Sequence, residues 1–546
     1  MPGKWRCAVG ATGSMKHFRV VFEPDGREIS IHQGATLVDA AGQAGIVLNT
    51  SCGGRGTCGK CAVLLGPSGR RVLACQYTIQ SDLAVTVPAE ARFYAHKILQ
   101  HGLDGTTGLQ RTIVDKYRAI AGPTPICGIT VDIGTTTVVA GLVDLADGRS
   151  VATRAMLNPQ TRFGDDVVTR ISYAESEAGL ARLRAVIVDG INELIEGVCR
   201  DAGIDADAIY EASIVGNTTM NHIFLGFPVR QLGQAPYHAH SVDAHDLSPS
   251  SLGLRMNAAG NVHTCENVAG FIGSDTTAAA LAVDMDSASQ RTLLVDIGTN
   301  GELVLGTSGQ LYAASCAAGP ALEGARIRCG GRAAEGAIEA VVIDNDDIAL
   351  DVIGDIQPHS ICGSGLIDAV AVLSQLGVVD ATGRFADVAE VRSRCSAPVA
   401  SRLIELEGQP AFRLSDEGRA GQVAVVLTQK DIREFQLAKG AIQAGTRLLL
   451  AKMGIDGEDL ERVLLAGAFG NYIRPASAVR VGLLPNVPLE RIHFVGNAAA
   501  SGARMLLLSD ESRTTAAALA RSIQYVEIAH ESRFSEVFSE AMLLSP

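Results

Sequence analysis

Four cysteines carry the plainest chemistry in this chain: Cys52, Cys58, Cys61 and Cys75, spaced Cys-x5-Cys-x2-Cys-x13-Cys. The first three lie in SCGGRGTCGKC, where Gly53, Gly54, Gly56 and Gly59 let backbone N–H groups turn inward toward sulfur. Thiolates on such a loop suit a two-iron cluster, whose potential is tuned by N–H···S hydrogen bonds. Four thiolates also suit a tetrahedral structural zinc, although zinc ribbons usually use two short C-x2–4-C knuckles. The other eight cysteines are scattered singly among apolar and small residues and read as small buried hydrophobes, Cys362 included.

A second chemistry repeats along the chain. Asp132-Ile133-Gly134-Thr135-Thr136-Thr137 is echoed by Asp296-Ile297-Gly298-Thr299-Asn300-Gly301-Glu302. In each, a glycine permits close approach. Thr135, Thr136 and Thr137 in the first, and Thr299 and Asn300 in the second, offer polar groups to phosphate oxygens. The carboxylates Asp132 and Asp296 are placed to hold Mg2+ through water. One such motif is an ordinary hairpin; two in tandem form a clamp for a triphosphate. GSDTTAAALAV (from Gly273) and VGNAAASGARM (from Val495) read as small-residue helices that pack closely. GAFGNY follows the strand VLLA, and its Gly467, Phe469 and Gly470 suit the face of a purine ring. No G-x-x-x-x-G-K-[ST] occurs, so a P-loop fold is not supported.

These residues need elements to position them. The chain has 546 residues, 47% apolar, with mean hydropathy +0.20 and 59 glycines. That is enough for several cores, and no apolar run approaches the roughly 18 residues of a bilayer-spanning helix. No secretory h-region opens the chain, so a cytoplasmic location is expected. A net charge of −13 argues against nonspecific nucleic-acid binding. Residues 1–16 read as a flexible tail. Residues 17–90 read as two hairpins, a helix capped by Thr36 and a closing strand. Residues 91–122 read as a linker whose basic stretch acts as a hinge, and 123–546 as an α/β body. Within that body the repeated hairpins imply two lobes, about 123–290 and about 291–546. His238, His240 and His245 fall in a polar run and read as solvated loop.

The cysteine segment resembles the β-grasp [2Fe–2S] ferredoxins, with an x5 gap closer to the adrenodoxin-like members than to the plant C-x4-C-x2-C spacing. The body resembles the actin, sugar-kinase and heat-shock-chaperone ATPases, a two-lobed ribonuclease H-like fold. By that resemblance Asp275 stands where the chaperones place a glutamate, and orients or activates the attacking water. The residue-level alternative is a helix N-cap. Together with AGPALEGA, CGSGLIDAV, LTQKDIREFQLAKGAIQAG and VGLLP, the whole from His17 resembles the reductive activators of corrinoid proteins. Many members of that family place a further small domain between ferredoxin and ATPase. This chain runs straight from its linker into Pro123.

The resemblance implies an ATP-hydrolysing iron–sulfur enzyme that returns a corrinoid protein from Co(II) to Co(I). It implies a [2Fe–2S] cluster, ATP and Mg2+, an upstream electron donor, and no nucleic-acid or membrane partner; it admits a homodimer. Clusters of this type sit near about −400 mV, so the electron moves uphill. A deficit of about 100–200 mV is about 2–5 kcal/mol, which a change of binding state can supply. Three other readings compete: an activator like those of 2-hydroxyacyl-CoA dehydratases, an electron carrier with a non-catalytic nucleotide module, and a small-molecule kinase.

Overall fold

Strand β1 (His17–Glu23) buries Phe18, Val20 and Phe22 and turns the alternate residues outward, the period of a strand with one face on a core. In the computed structural model the described residues are 16–546, apart from 25, 45, 47, 49–60, 67–68, 89–90, 92–108, 122–124, 165, 355, 417–423, 468–472 and 546. The expected tail and the basic hinge stretch lie outside them. β1 pairs antiparallel with β2 (Arg27–His32). Helix α1 (Leu37–Gln43) follows, opened by a reciprocal cap in which the Thr36 hydroxyl accepts from Asp39 N while the Asp39 carboxylate accepts from Thr36 N at 2.9 Å. Strands β3 (Ala62–Leu65), β4 (Arg70–Leu73) and β5 (Leu83–Thr86) complete a sheet of order β2-β1-β5-β3-β4. β1 and β5 run parallel at its centre, the β-grasp arrangement.

The expected linker is not loose along its second half. Ile113, Val114, Tyr117 and Ala121 are buried against Val143, Tyr210 and Leu507. The Tyr117 hydroxyl donates to the buried Glu211, and Lys116 pairs with Asp510 at 2.7 Å. Residues 113–121 of the segment expected as linker thus form a packed stretch. Its weak periodicity hides a short apolar segment whose partners lie far away in sequence.

The body contains two six-stranded sheets of matching plan. In the first lobe β6 (Cys127–Ile133), β7 (Thr137–Asp144) and β8 (Ser150–Leu157) form a meander. After helix α2 (Glu177–Ala202) comes β9 (Ile209–Gly216), parallel to β6 and buried at every position. Helix α3 (Thr218–Leu225), β10 (His245–Leu247) and β11 (Asn261–Thr264) complete the order β10-β11-β9-β6-β7-β8. Helix α4 (Ser274–Ala282) then leads to the second lobe, where β12 (Thr292–Ile297), β13 (Gly301–Thr307) and β14 (Gln310–Cys316) repeat the meander. An insertion follows: β15 (Ala337–Asp344), β16 (Asp347–Val352) and β17 (Ser360–Ile361), helix α5 (Gly363–Gln375), and β18 (Leu403–Leu406), β19 (Gln409–Arg413) and β20 (Val426–Thr428). Helix α6 (Gln429–Met453), closed by Gly454 at φ 71°, precedes β21 (Arg462–Ala466) and β22 (Ile492–Gly496). Helices α7 (Ala498–Leu508) and α8 (Asp510–Ser522) and strand β23 (Ile523–Tyr525) end the sheet order β22-β21-β12-β13-β14-β23. The repeated hairpins imply two lobes, and the meander plus two parallel strands in both is the ribonuclease H-like plan that the resemblance implies.

The two small-residue helices meet. A Cβ at Gly502 of α7 would lie 2.0 Å from the Ala278 carbonyl oxygen of α4, so only glycine lets these backbones touch. Gly502→Ala is therefore expected to destabilise the body by about 2–4 kcal/mol through overpacking between lobes. Thermal unfolding should show a lowered Tm, and an unchanged Tm would contradict the contact. No helix among the described residues is long and apolar enough to cross a membrane.

Candidate nucleotide cleft and iron–sulfur centre

Each repeated hairpin delivers its carboxylate at the penultimate residue of a central strand, Asp132 on β6 and Asp296 on β12. The tips of the two hairpins meet across the cleft, with Thr136 Oγ1 and Thr299 Oγ1 3.2 Å apart. The first tip is held from behind. The fully buried Arg170 donates to Thr135 O at 2.6 Å, Asn158 to Gly134 O at 2.8 Å, and Asn217 to Thr135 Oγ1 at 3.0 Å. A Cβ at Gly134 would lie 2.6 Å from Thr137 O, so the turn requires glycine. In the second tip Gly298 N donates to Asn300 O at 3.0 Å, and the Thr299 hydroxyl donates to Glu323.

The cleft floor gathers four carboxylates. Asp296 and Glu302 are directly opposite in the β12–β13 register and share a face. Asp132 and Asp275 complete the set. Each residue keeps an opening to the cleft, yet the carboxyl heads sit deep between the lobes. Burial, then the charges of Asp275 and Asp296, push Asp132 up to about 7. Burial, then Asp275, push Asp296 up to about 7. Burial, then Asp275 and Asp296, hold Glu302 well above the usual carboxylate range. Asp275 is raised by burial and eased by a hydrogen bond from Thr276 N at 2.7 Å. Asp132 is eased by a hydrogen bond from the side chain of Asn497, the residue that also caps α7.

Asp275 is not the helix cap. Gly273 occupies that position, pressed so tightly on Asn217 that a Cβ would lie 2.4 Å from its Cα, and Asp275 stands in the first turn facing the other acids. Gly467 lies at the end of β21 with φ 92°, where a Cβ would meet Asp296 Oδ1 at 2.7 Å. Phe469 and Gly470 lie outside the described residues. Glu302, Asn497, Arg170 and Glu323 are site residues that the sequence reading does not single out. Glu302 has a signal, the strand register that sets it opposite Asp296. Asn497 has another, its place immediately before a small-residue helix.

A folded carboxyl raised to about 7 from 3.8 favours the protonated form. Stability from it is present at low pH and is lost as pH climbs from about 4 through 7. A cation that needs these groups ionised binds better as pH rises over the same window. The Tm gain from Mg2+ with a non-hydrolysable ATP analogue should therefore grow between about pH 6 and 7.5, with proton release on binding at about pH 6.5 seen by calorimetry in two buffers. A pH-independent gain would count against the carboxylate floor as the cation site.

In the ferredoxin sheet Cys61 is buried and Cys75 half-buried, with their sulfurs 3.3 Å apart. That is well beyond the roughly 2.05 Å of a disulfide, so the two thiols face each other without an S–S bond. Cys52 and Cys58 lie outside the described residues. Gln76 Nε2 approaches Cys75 Sγ at 3.8 Å. Cys362, by contrast, is buried at the start of α5, its thiol pushed up mainly by burial. His240 and His245 pack their rings against Phe227.

A β-grasp ferredoxin domain ahead of two ribonuclease H-like lobes with facing Asp-Ile-Gly-Thr hairpins defines a ferredoxin-fused ATPase of the actin-like class. The model for the 2Fe-2S iron-sulfur cluster binding domain matches residues 20–80, that for the RACo middle region 127–288, and that for the C-terminal domain of RACo, the ASKHA domain, 290–546. The corrinoid activation enzyme RamQ of Eubacterium limosum is 33% identical, over 95% of this chain and 98% of its own length. A solved structure titled reductive activator for corrinoid, iron-sulfur protein aligns with a TM-score of 0.73 and 31% identity, over 96% of this chain and 98% of the other. The [Co(II) methylated amine-specific corrinoid protein] reductase of Methanosarcina barkeri is 25% identical over 70% of each chain. The chain belongs to the family of ATP-dependent reductive activators of corrinoid proteins.

Proposed function

We propose that this chain reduces the Co(II) centre of a corrinoid protein to Co(I) by one-electron transfer, with ATP driving the uphill step. The observation that carries the reading is the joining of two sites in one chain, a pair of converging thiols in a β-grasp domain and a four-carboxylate cleft spanned by the Thr136–Thr299 contact. A two-iron cluster held by Cys52, Cys58, Cys61 and Cys75 supplies one-electron chemistry when bound.

The chain's own groups do the rest. Gly134, Thr135, Thr136, Thr137, Gly298, Thr299 and Asn300 receive the phosphates, and Gly467, Phe469 and Gly470 receive the adenine. Asp132 and Asp296 hold Mg2+ through water. Asp275 orients the water that attacks the terminal phosphorus, where its oxygen forms the new bond as the bond to the ADP oxygen breaks. No residue of the cleft carries the electron. Opening and closing the lobes changes the state of the body that grips the corrinoid partner, and α4 and α7, whose backbones touch at Gly502, couple the two lobes. Dehydratase-activator chemistry is the weaker reading, because there a [4Fe–4S] cluster bridges subunits, whereas here the thiols converge within one β-grasp domain. The same proposal includes an upstream electron donor and a cytoplasmic site of action.

The test is ATP turnover measured with a corrinoid protein held in each cobalt state. Turnover should rise with the Co(II) form and not with the Co(I) form. Equal rates with both, or phosphate transfer to a small molecule, would overturn the reading.

A further inference from the structure

Among the described residues, the ferredoxin domain meets the second lobe at two polar contacts, each backed by a buried carboxylate. His17 on β1 meets Asp351 on β16, which is 1% exposed and has its Oδ2 unpartnered. On the other side, Arg474 Nη2 donates to His32 Nε2 at 3.2 Å, and His32 in turn presents Nδ1 to Gln33 O at 3.1 Å, the tautomer this pairing requires. The same edge of the Arg474 guanidinium also faces Asp368 of α5, with Nε 3.5 Å from Oδ2. Asp368 is also 1% exposed, and its Oδ1 has no hydrogen-bond partner. Arg474 is the cation facing this buried carboxylate, which also has Ser477 and Val341 N as partners, and it reaches His32 from that base.

The described residues link this contact to the nucleotide cleft through β22. Asn497, bonded to Asp132, directly follows β22, whose His493 and Phe494 line a cavity of about 530 Å3 between the domains. Cys75, His32 and Arg474 line the same cavity. Gly467, pressed on the Asp296 carboxylate, donates its N–H to Gly496 O of the same strand at 3.1 Å. Both cleft carboxylates are thereby tied to the strand that walls the cavity beside Cys75, His32 and Arg474.

We propose that Arg474 is the positioning residue that couples the nucleotide cleft to the ferredoxin domain, through its contact with His32. This rests on the reading of the chain as an ATP-driven reductive activator. Arg474 touches neither phosphate nor thiol; it sets how the Cys75 side of the ferredoxin sits against the second lobe when nucleotide binds.

The test uses the full chain with its cluster reconstituted, in wild type, Arg474→Met, Arg474→Lys, His32→Phe and the Arg474→Met/His32→Phe double variant. Hydrogen exchange of residues 27–36 is followed with and without Mg2+ and a non-hydrolysable ATP analogue, alongside the analogue's Kd and the cluster absorbance. In wild type, nucleotide should change exchange in this stretch at least threefold. In Arg474→Met and His32→Phe that response should vanish, with Kd within twofold and absorbance unchanged, and the double variant should be no worse than either single one. Arg474→Lys keeps the charge facing Asp368 but not the fork, and should restore part of the response. Should Arg474→Met not fold, His32→Phe carries the same test from the ferredoxin side. A response that survives in the variants, or that is absent from wild type, overturns the coupling. Loss of nucleotide-driven Co(I) formation in wild type with this response intact would instead count against the functional reading alone.

Discussion

Asp296→Asn is expected to cut ATP turnover by roughly 10²–10³-fold, the scale on which removing one preorganised charged or polar group from a phosphoryl-transfer site is felt. Asp296 is the point where the cleft converges. It faces Glu302 across the hairpin, raises Asp132 and Glu302 by its charge, and has Gly467 pressed on its Oδ1. The asparagine is isosteric, so the packing at Gly467 and the fold stay intact. The sign on binding is opposite to that on turnover. The ionised carboxylates of the floor repel a triphosphate, and removing Asp296 relieves part of that repulsion. The nucleotide Kd without metal should therefore hold or tighten, while kcat falls and the benefit of added Mg2+ shrinks. Steady-state kinetics over a Mg2+ series checks both. A kcat within threefold of wild type would remove Asp296 from the machinery. A Kd weakened tenfold without metal would mean that it contacts nucleotide directly.

Cys61→Ala is expected to abolish the visible absorption of the reconstituted protein and to lower nucleotide-driven Co(I) formation at least 100-fold, with ATP affinity unchanged. Cys61 is 1% exposed and its sulfur faces that of Cys75. Trimming it to alanine leaves a cavity too small to collapse the β-grasp core, so a loss of colour reports ligation and not unfolding. The nucleotide cleft is built from other strands and should not register the change. Absorption retained in the variant would mean that the thiol is only a packed side chain. A colourless wild type carrying one tightly bound zinc would revive the alternative that four thiolates always leave open.

Local chemistry is legible in the amino-acid sequence itself. SCGGRGTCGKC marks candidate thiolates, and the two Asp-Ile-Gly-Thr hairpins mark the two lobes, because each signal is complete within a dozen residues. What escapes depends on register and on distance along the chain. Glu302 stands in the same hairpin as Asp296, but its role follows only from the antiparallel pairing that sets them opposite. Asn497 reaches Asp132 from a different part of the chain, and a lone asparagine before a helix reads as nothing more than a cap. Segment 109–121 reads as linker because its anchors, Glu211 and Asp510, lie far downstream. Arg474 has no signal at all. Its partners, His32 in one domain and Asp368 in another, come together only when the ferredoxin is placed on the second lobe. Asp275 shows the converse. Its sequence context offers both a cap and a catalytic acid, and the position of Gly273 decides which residue opens the helix.

The decisive measurement is anaerobic absorption spectroscopy of a Co(II) corrinoid protein mixed with this chain in its reduced form, with and without Mg-ATP. Growth of the Co(I) band only when nucleotide is present, at a rate that drops with Asp296→Asn and with Cys61→Ala, is the predicted result. A Co(I) band that grows equally without nucleotide, or that never forms with several corrinoid partners while the cluster and ATP binding are intact, would contradict the coupling of the two sites.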